Sequence, residues 1–109
     1  MKIIDLQEEQ DLDNQEAGNV IIDFYANWCG PCRALASSFT NISEENHFSD
    51  DLTLVKVNID QHQDLAQKFN VRSLPTIIFT SSGKSLKTKV GSLSKADLIT
   101  MIKSVYDIK

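Results

Sequence analysis

The feature that most constrains this chain is Trp28-Cys29-Gly30-Pro31-Cys32, set between an apolar run, Val20 to Ala26, and a segment with helical spacing. A strand, a tight turn and a helix in that order place Cys29 at the helix mouth. If the helix begins just after it, Cys29 is the N-cap, Gly30 is N1, Pro31 is N2 and Cys32 is N3. An N-cap side chain accepts a hydrogen bond from the N2 or N3 N–H. Pro31 has none to give, so the Cys32 N–H is the expected donor to the Cys29 sulfur. Proline is tolerated there because its missing donor would have been unpaired anyway. The positive end of the helix dipole also favours an anion at this place. Both effects favour the Cys29 thiolate. Cys32, one turn inside, is expected to be the less exposed.

These are the only two cysteines. A structural bridge is a weak explanation, because so short a ring constrains the unfolded chain by only roughly 2 kcal/mol. A zinc site would need two more ligands at metal spacing, and His47 and His62 do not form a His-x-x-x-His pattern. Disulfide exchange is the favoured reading. Cys29 attacks a substrate disulfide to give a mixed disulfide, and Cys32 then attacks Cys29 and releases the reduced product.

Several stretches in order resemble the thioredoxin family: Asp23-Phe24-Tyr25-Ala26, Trp28-Cys29-Gly30-Pro31-Cys32, Val55-Lys56-Val57-Asn58-Ile59-Asp60, Val71-Arg72-Ser73-Leu74-Pro75-Thr76 and Lys89-Val90-Gly91. The resemblance covers nearly the whole chain. It implies a thioredoxin fold, an α/β domain with a central mixed sheet flanked by helices on both faces. It implies Cys29 as nucleophile, Cys32 as resolving thiol, Asp23 as the group that takes the Cys32 proton, and Lys56 as its electrostatic neighbour. It implies a cis bond at Leu74-Pro75, although most X-Pro bonds are trans. It implies an exposed apolar docking rim of Trp28, Gly30, Pro31, Leu74, Pro75, Val90 and Gly91, taking protein disulfides as extended segments. Electrons would come from an NADPH-dependent, flavin-containing thioredoxin reductase. The chain departs from the family at Ser37, where a helix-kinking proline is usual, and at Ser92, often alanine.

The residues themselves limit the alternatives. A net charge of -4 argues against nucleic acid. No apolar run reaches the roughly 20 residues that span a bilayer. Met1-Lys2-Ile3-Ile4-Asp5 turns acidic without a signal-peptide core, so a cytoplasmic location is expected. A chain of 109 residues suits a single domain over 1–109, and a monomer is expected. There is no Gly-x-Gly-x-x-Gly fingerprint, so no nucleotide or other bound cofactor is expected beyond the Cys29–Cys32 pair. The Gly-Pro between the cysteines has no histidine to stabilise the reduced form, which favours a reductant. A binding module that uses only its surface, and an oxidase or isomerase of the same fold, are the competing readings.

Along the chain, Lys2 to Leu6 is expected as a strand and Gln7 to Glu16 as a surface helix ended by Gly18-Asn19. Val20 to Ala26 reads as a strand buried on both faces. Asp23 within it is costly unless neutral, paired or hydrated. Burial would raise its pKa and Lys56 would lower it, so the net direction stays open. Pro31 to Asn46 is a helix with Leu35, Phe39 and Ile42 on one stripe, and Arg33 facing out. In the strand Leu52 to Ile59, Thr53, Val55, Val57 and Ile59 share one face, while Leu52, Leu54, Lys56 and Asn58 share the other. Gln63 to Phe69 is a short helix and Thr76 to Thr80 a strand. Ser81 to Lys84 is a turn and Ser85 to Val90 an edge strand. Ser94-Lys95-Ala96-Asp97 resembles a capping box before a C-terminal helix.

Overall fold

The apolar run around Asp23 becomes the central strand of the sheet. The computed structural model describes residues 1–15 and 17–109. In chain order the elements are β1 (Lys2–Asp5), α1 (Glu9–Asp13), β2 (Asn19–Tyr25), α2 (Gly30–Glu44), β3 (Leu52–Asn58), α3 (Gln63–Lys68), β4 (Thr76–Ser81), β5 (Lys84–Val90) and α4 (Lys95–Val105). The sheet order is β1-β3-β2-β4-β5. β3 runs parallel to β1 and β2, whereas β4 is antiparallel to β2 and β5 to β4. This is the thioredoxin fold expected from the sequence.

Alternation along the strands divides the core between two faces. On one face Ile21, Leu54, Ile77 and Phe79 pack with Leu35, Phe39 and Ile42 of α2 and Leu98 and Ile102 of α4. On the other, Val20, Ile22, Phe24, Val55, Val57 and Ile78 pack with Leu12 of α1 and Leu65 of α3. The Phe24 and Phe69 rings meet at 5.5 Å between centroids. The Tyr106 hydroxyl, just past α4, lies 2.9 Å from the Thr80 carbonyl and 3.1 Å from that of Val20, tying the end of the chain to the sheet.

Element boundaries differ from expectation in places with local causes. α1 is only Glu9–Asp13, with Asn14 as its C-cap. The Asp11 carboxylate accepts the Gln7 and Glu8 N–H groups and fixes the start. Leu12 is its single buried residue, too little apolar surface to hold further turns. Gly18-Asn19 therefore does not cap it, and Asn19 already belongs to β2. Glu16, the expected end of this helix, lies outside the described residues. α2 stops at Glu44, and Asn46 adopts a left-handed φ of 56° that carries the chain away. Ser37 is exposed on an unbroken helix, away from the sheet.

The hairpin between β4 and β5 turns at Ser82 and Gly83, with φ of 50° and 78°, the paired left-handed geometry of a two-residue loop. The Ser94 hydroxyl accepts the Asp97 N–H at 3.1 Å, forming the serine half of the expected capping box.

Candidate active site

The dithiol sits where a largely buried strand hands over to a helix. The Cys29 N–H donates to the Ala26 carbonyl at 3.2 Å, closing the turn after β2. Cys29 has extended φ and ψ of -89° and 112° and is the N-cap of α2. The Cys32 N–H donates to the Cys29 sulfur at 3.2 Å. Gly30 and Pro31 occupy the first helical positions and are exposed. The two cysteines form a disulfide with their Cα atoms 5.2 Å apart. Their burial is unequal: Cys29 is 6% exposed and Cys32 2%. One sulfur is thus nearer solvent and faces a backbone donor at a helix N-terminus, a setting that favours its ionised form once the bridge opens.

Trp28 is 68% exposed, so it covers the surface beside Cys29 instead of filling the core. Its indole N–H donates to an Asp60 carboxylate oxygen at 3.0 Å, which fixes the ring. Arg33 points outward and donates to the Asn27 carbonyl at 3.0 Å.

Asp23, on β2 ahead of the dithiol in the chain, is fully buried, with neither carboxylate oxygen hydrogen-bonded among the described residues. Burial in this apolar strand raises its pKa from 3.8 to about 7, and the positive charge of Lys56 acts against the rise. Desolvation is the larger effect, although the β2–β3 register sets Lys56, with its ammonium, beside Asp23. That ammonium is 3.8 Å from an Asp5 carboxylate oxygen and 5.1 Å from the centre of the Tyr25 ring. A cleft of about 160 Å³ is lined by Tyr25, Ala26, Cys32 and Lys56, with Arg33 on its α2 wall. The cleft gives solvent a route to Cys32.

The Leu74–Pro75 bond is cis. The Leu74 N–H and carbonyl make no backbone–backbone hydrogen bond among the described residues. The Pro75 carbonyl accepts the Gly91 N–H at 2.9 Å, joining the two segments expected to flank the dithiol. Gly91 has a φ of 96°, a conformation that side chains with a Cβ rarely adopt. Val90 is 53% exposed. One detail of the expected rim is corrected: Pro75 is buried, and Leu74 and Gly91 are only half-buried. The loop packs onto the core edge because Pro75 precedes the first buried residue of β4.

An apolar groove of about 440 Å³ runs beside Cys29 between Trp28, Gly30 and Pro31 on one side and Leu74 on the other. Its lining also includes Ile59, Ala66 and Val71, none of them among the expected docking residues. Half-burial of apolar side chains around α3 is the signal they leave. His47 pairs with Glu45 at 2.8 Å, and His62 lies 3.2 Å from the Leu6 carbonyl. Among the described residues no cluster of histidine, cysteine or carboxylate groups could hold a metal ion, and no helix is long and apolar enough to cross a membrane.

Known proteins share this arrangement. The family model described as Thioredoxin matches residues 4–104. The thioredoxin of Pseudomonas aeruginosa is 34% identical over 102 residues, covering 94% of this chain and 92% of the relative. That of Mycoplasmoides gallisepticum is 38% identical over 84 residues, 77% of this chain and 81% of the relative. Among solved structures, a mutant thioredoxin from Halobacterium salinarum NRC-1 is similar with a TM-score of 0.83 and 29% identity, covering 95% of this chain and 90% of that one. With a helix-mouth cysteine pair on this sheet and a family match that spans nearly its whole length, the chain belongs to the thioredoxin family and is a protein dithiol–disulfide oxidoreductase.

Proposed function

We propose that the chain works as a protein-disulfide reductase, with Cys29 as nucleophile and Cys32 as resolving thiol. The observation that carries this assignment is the Cys32 N–H donated to the Cys29 sulfur, the more exposed of the two. In the first step the Cys29 thiolate bonds to one sulfur of a substrate disulfide, and the other leaves as a thiolate. In the second, the Cys32 thiolate attacks the Cys29 sulfur. The substrate's remaining sulfur then leaves, and the Cys29–Cys32 bond forms. Two electrons pass from the dithiol to the substrate.

Cys32 gives up a proton before that second step, and Asp23 is its acceptor. A group with a pKa of about 7 is half ionised near neutral pH, which suits both taking up and returning a proton. Lys56 tunes it by favouring the charged form. Trp28, Gly30, Pro31, Leu74, Val90 and Gly91 form the docking rim, with Pro75 buried beneath it and setting the turn of the Leu74 segment. The unpaired Leu74 backbone groups receive an extended substrate segment. An NADPH-dependent thioredoxin reductase returns the dithiol to its reduced state, in the cytoplasm, with the chain acting as a monomer and one domain. An acidic chain with a mainly apolar rim fits protein partners in preference to nucleic acid.

The test is a coupled assay. The oxidised chain, a flavin-containing thioredoxin reductase, NADPH and a disulfide-bonded protein are expected to consume NADPH in proportion to substrate disulfide. No consumption would sink the reductase partner. A reduction potential more oxidising than the cellular glutathione pool would replace the reductant with an oxidase or isomerase.

A further inference from the structure

Among the described residues, the carboxylate within ion-pair distance of Lys56 is not that of Asp23. It is that of Asp5, at the end of β1. Asp5, Lys56 and Asp23 stand side by side across three parallel strands: Asp5 pairs with Lys56 in the β1–β3 register and Lys56 with Asp23 in the β3–β2 register. Alternation puts all three on the face covered by α2. The Lys56 ammonium is 3.8 Å from Asp5 and stacks over the Tyr25 ring. The Leu6 N–H donates to the Lys56 carbonyl at 2.9 Å, holding the end of β1 in register. The Asp5 side chain is 66% exposed and that of Lys56 24%, so the pair lies toward solvent, and Lys56 also lines the cleft beside Cys32. Asp23, by contrast, is fully buried and forms no ion pair with Lys56 among the described residues.

We propose that Asp5 is a positioning residue: it holds the Lys56 ammonium beside its own carboxylate and so limits the positive charge presented to the Asp23 carboxylate. An ion pair this exposed adds little stability; its consequence is where it keeps a charge. The other groups facing the cleft are Tyr25 from β2 and Cys32 and Arg33 from α2. On β4 the register partner of Asp23 is Ile77, which has no charge. Among the described residues lining the cleft, Lys56 is the cation that pairs with a neighbouring carboxylate, Arg33 instead donating to the Asn27 carbonyl. Tyr25 supports the geometry, since its pKa is raised by burial first and then by the negative charge of Asp5. The functional consequence rests on the reading that Asp23 takes the Cys32 proton.

The experiment is a double-mutant cycle read by carbon-13 carboxyl NMR on the oxidised full chain, following the titration midpoint of Asp23. Asp5→Asn is expected to lower that midpoint by roughly half a unit, as the freed ammonium moves inward. Lys56→Met should raise it, and adding Asp5→Asn to Lys56→Met should change nothing further. Circular dichroism checks that each variant folds. An unmoved midpoint in Asp5→Asn would overturn the proposal. So would an equal shift in the Lys56→Met background, because the carboxylate would then act directly and not through Lys56. Turnover separates the two claims. The acid limb of the pH–rate profile should follow the midpoint, raising turnover at pH 7 by about 1.5-fold in Asp5→Asn. If the midpoints follow the cycle while Asp23→Asn keeps full turnover, the positioning by Asp5 stands and the proton-acceptor role of Asp23 falls.

Discussion

Cys29→Ser is expected to abolish protein-disulfide reduction, while Cys32→Ser allows one attack and then stops. The difference follows from their places on α2. Cys29 is the sulfur that receives the Cys32 N–H at the helix mouth, and it is the more exposed of the pair. A serine hydroxyl there stays protonated at neutral pH and cannot open a substrate disulfide. Cys32 lies deeper, at 2% exposure, and reaches only the mixed disulfide already formed on Cys29. Without it, that intermediate has no internal route to resolution. Mass spectrometry after mixing Cys32→Ser with a disulfide-bonded protein should show one substrate bound per chain, through Cys29. A trapped adduct on Cys32 in Cys29→Ser, at a comparable rate, would reverse the assignment.

Asp23→Asn is expected to make the chain more stable at alkaline pH and slower at neutral pH. In the unfolded chain this carboxyl ionises near 3.8, and in the folded chain near 7. Between those values the folded state holds a proton that the unfolded state has lost. Stability from Asp23 is therefore complete at and below about pH 4 and declines as pH rises, levelling off above 7. At about 1.4 kcal/mol per unit, the decline totals about 4 kcal/mol. Asparagine removes the slope. Urea denaturation of the oxidised proteins should show little difference near pH 4 and a gain approaching about 4 kcal/mol at pH 8. Parallel stability curves would mean Asp23 is not held in its neutral form. Turnover near pH 7 should fall by roughly tenfold, less than the ~10²-fold of a full general base, since solvent reaches Cys32 through the cleft.

Much of this site is legible in local sequence because its parts are local. The N-cap geometry of Cys29 follows from a strand, a Gly-Pro pair and a helix within a few residues, and the structure reproduces it donor for donor. The two faces of β3 also follow from simple alternation: Leu52 and Leu54 join one core, Val55 and Val57 the other. Direction at Asp23 is not legible because burial and Lys56 oppose each other, and which is larger depends on how completely the fold buries the carboxylate. The Lys56 ammonium itself pairs with Asp5, more than fifty residues away along the chain. The rest of the groove lining was hidden for a similar reason. Ile59, Ala66 and Val71 come from three separate stretches around α3 and meet Cys29 only after folding. On β5 the alternation of lysines with Leu86, Thr88 and Val90 marked an edge strand, and Leu86 and Val90 are indeed 51% and 53% exposed. Local pattern could not tell which face stays bare. Lys87 and Lys89 line the α4 side, and α3, with six residues, is too short to cover the other.

The whole account turns on an unequal pair of thiols, so the most direct measurement is their rate of alkylation across pH in the reduced chain, with each modified residue located by mass spectrometry. The expected result is faster reaction at Cys29 than at Cys32, with a midpoint for Cys29 below the ordinary cysteine value of about 8.5. Equal rates, each rising with the profile of a free thiol in water, would contradict it.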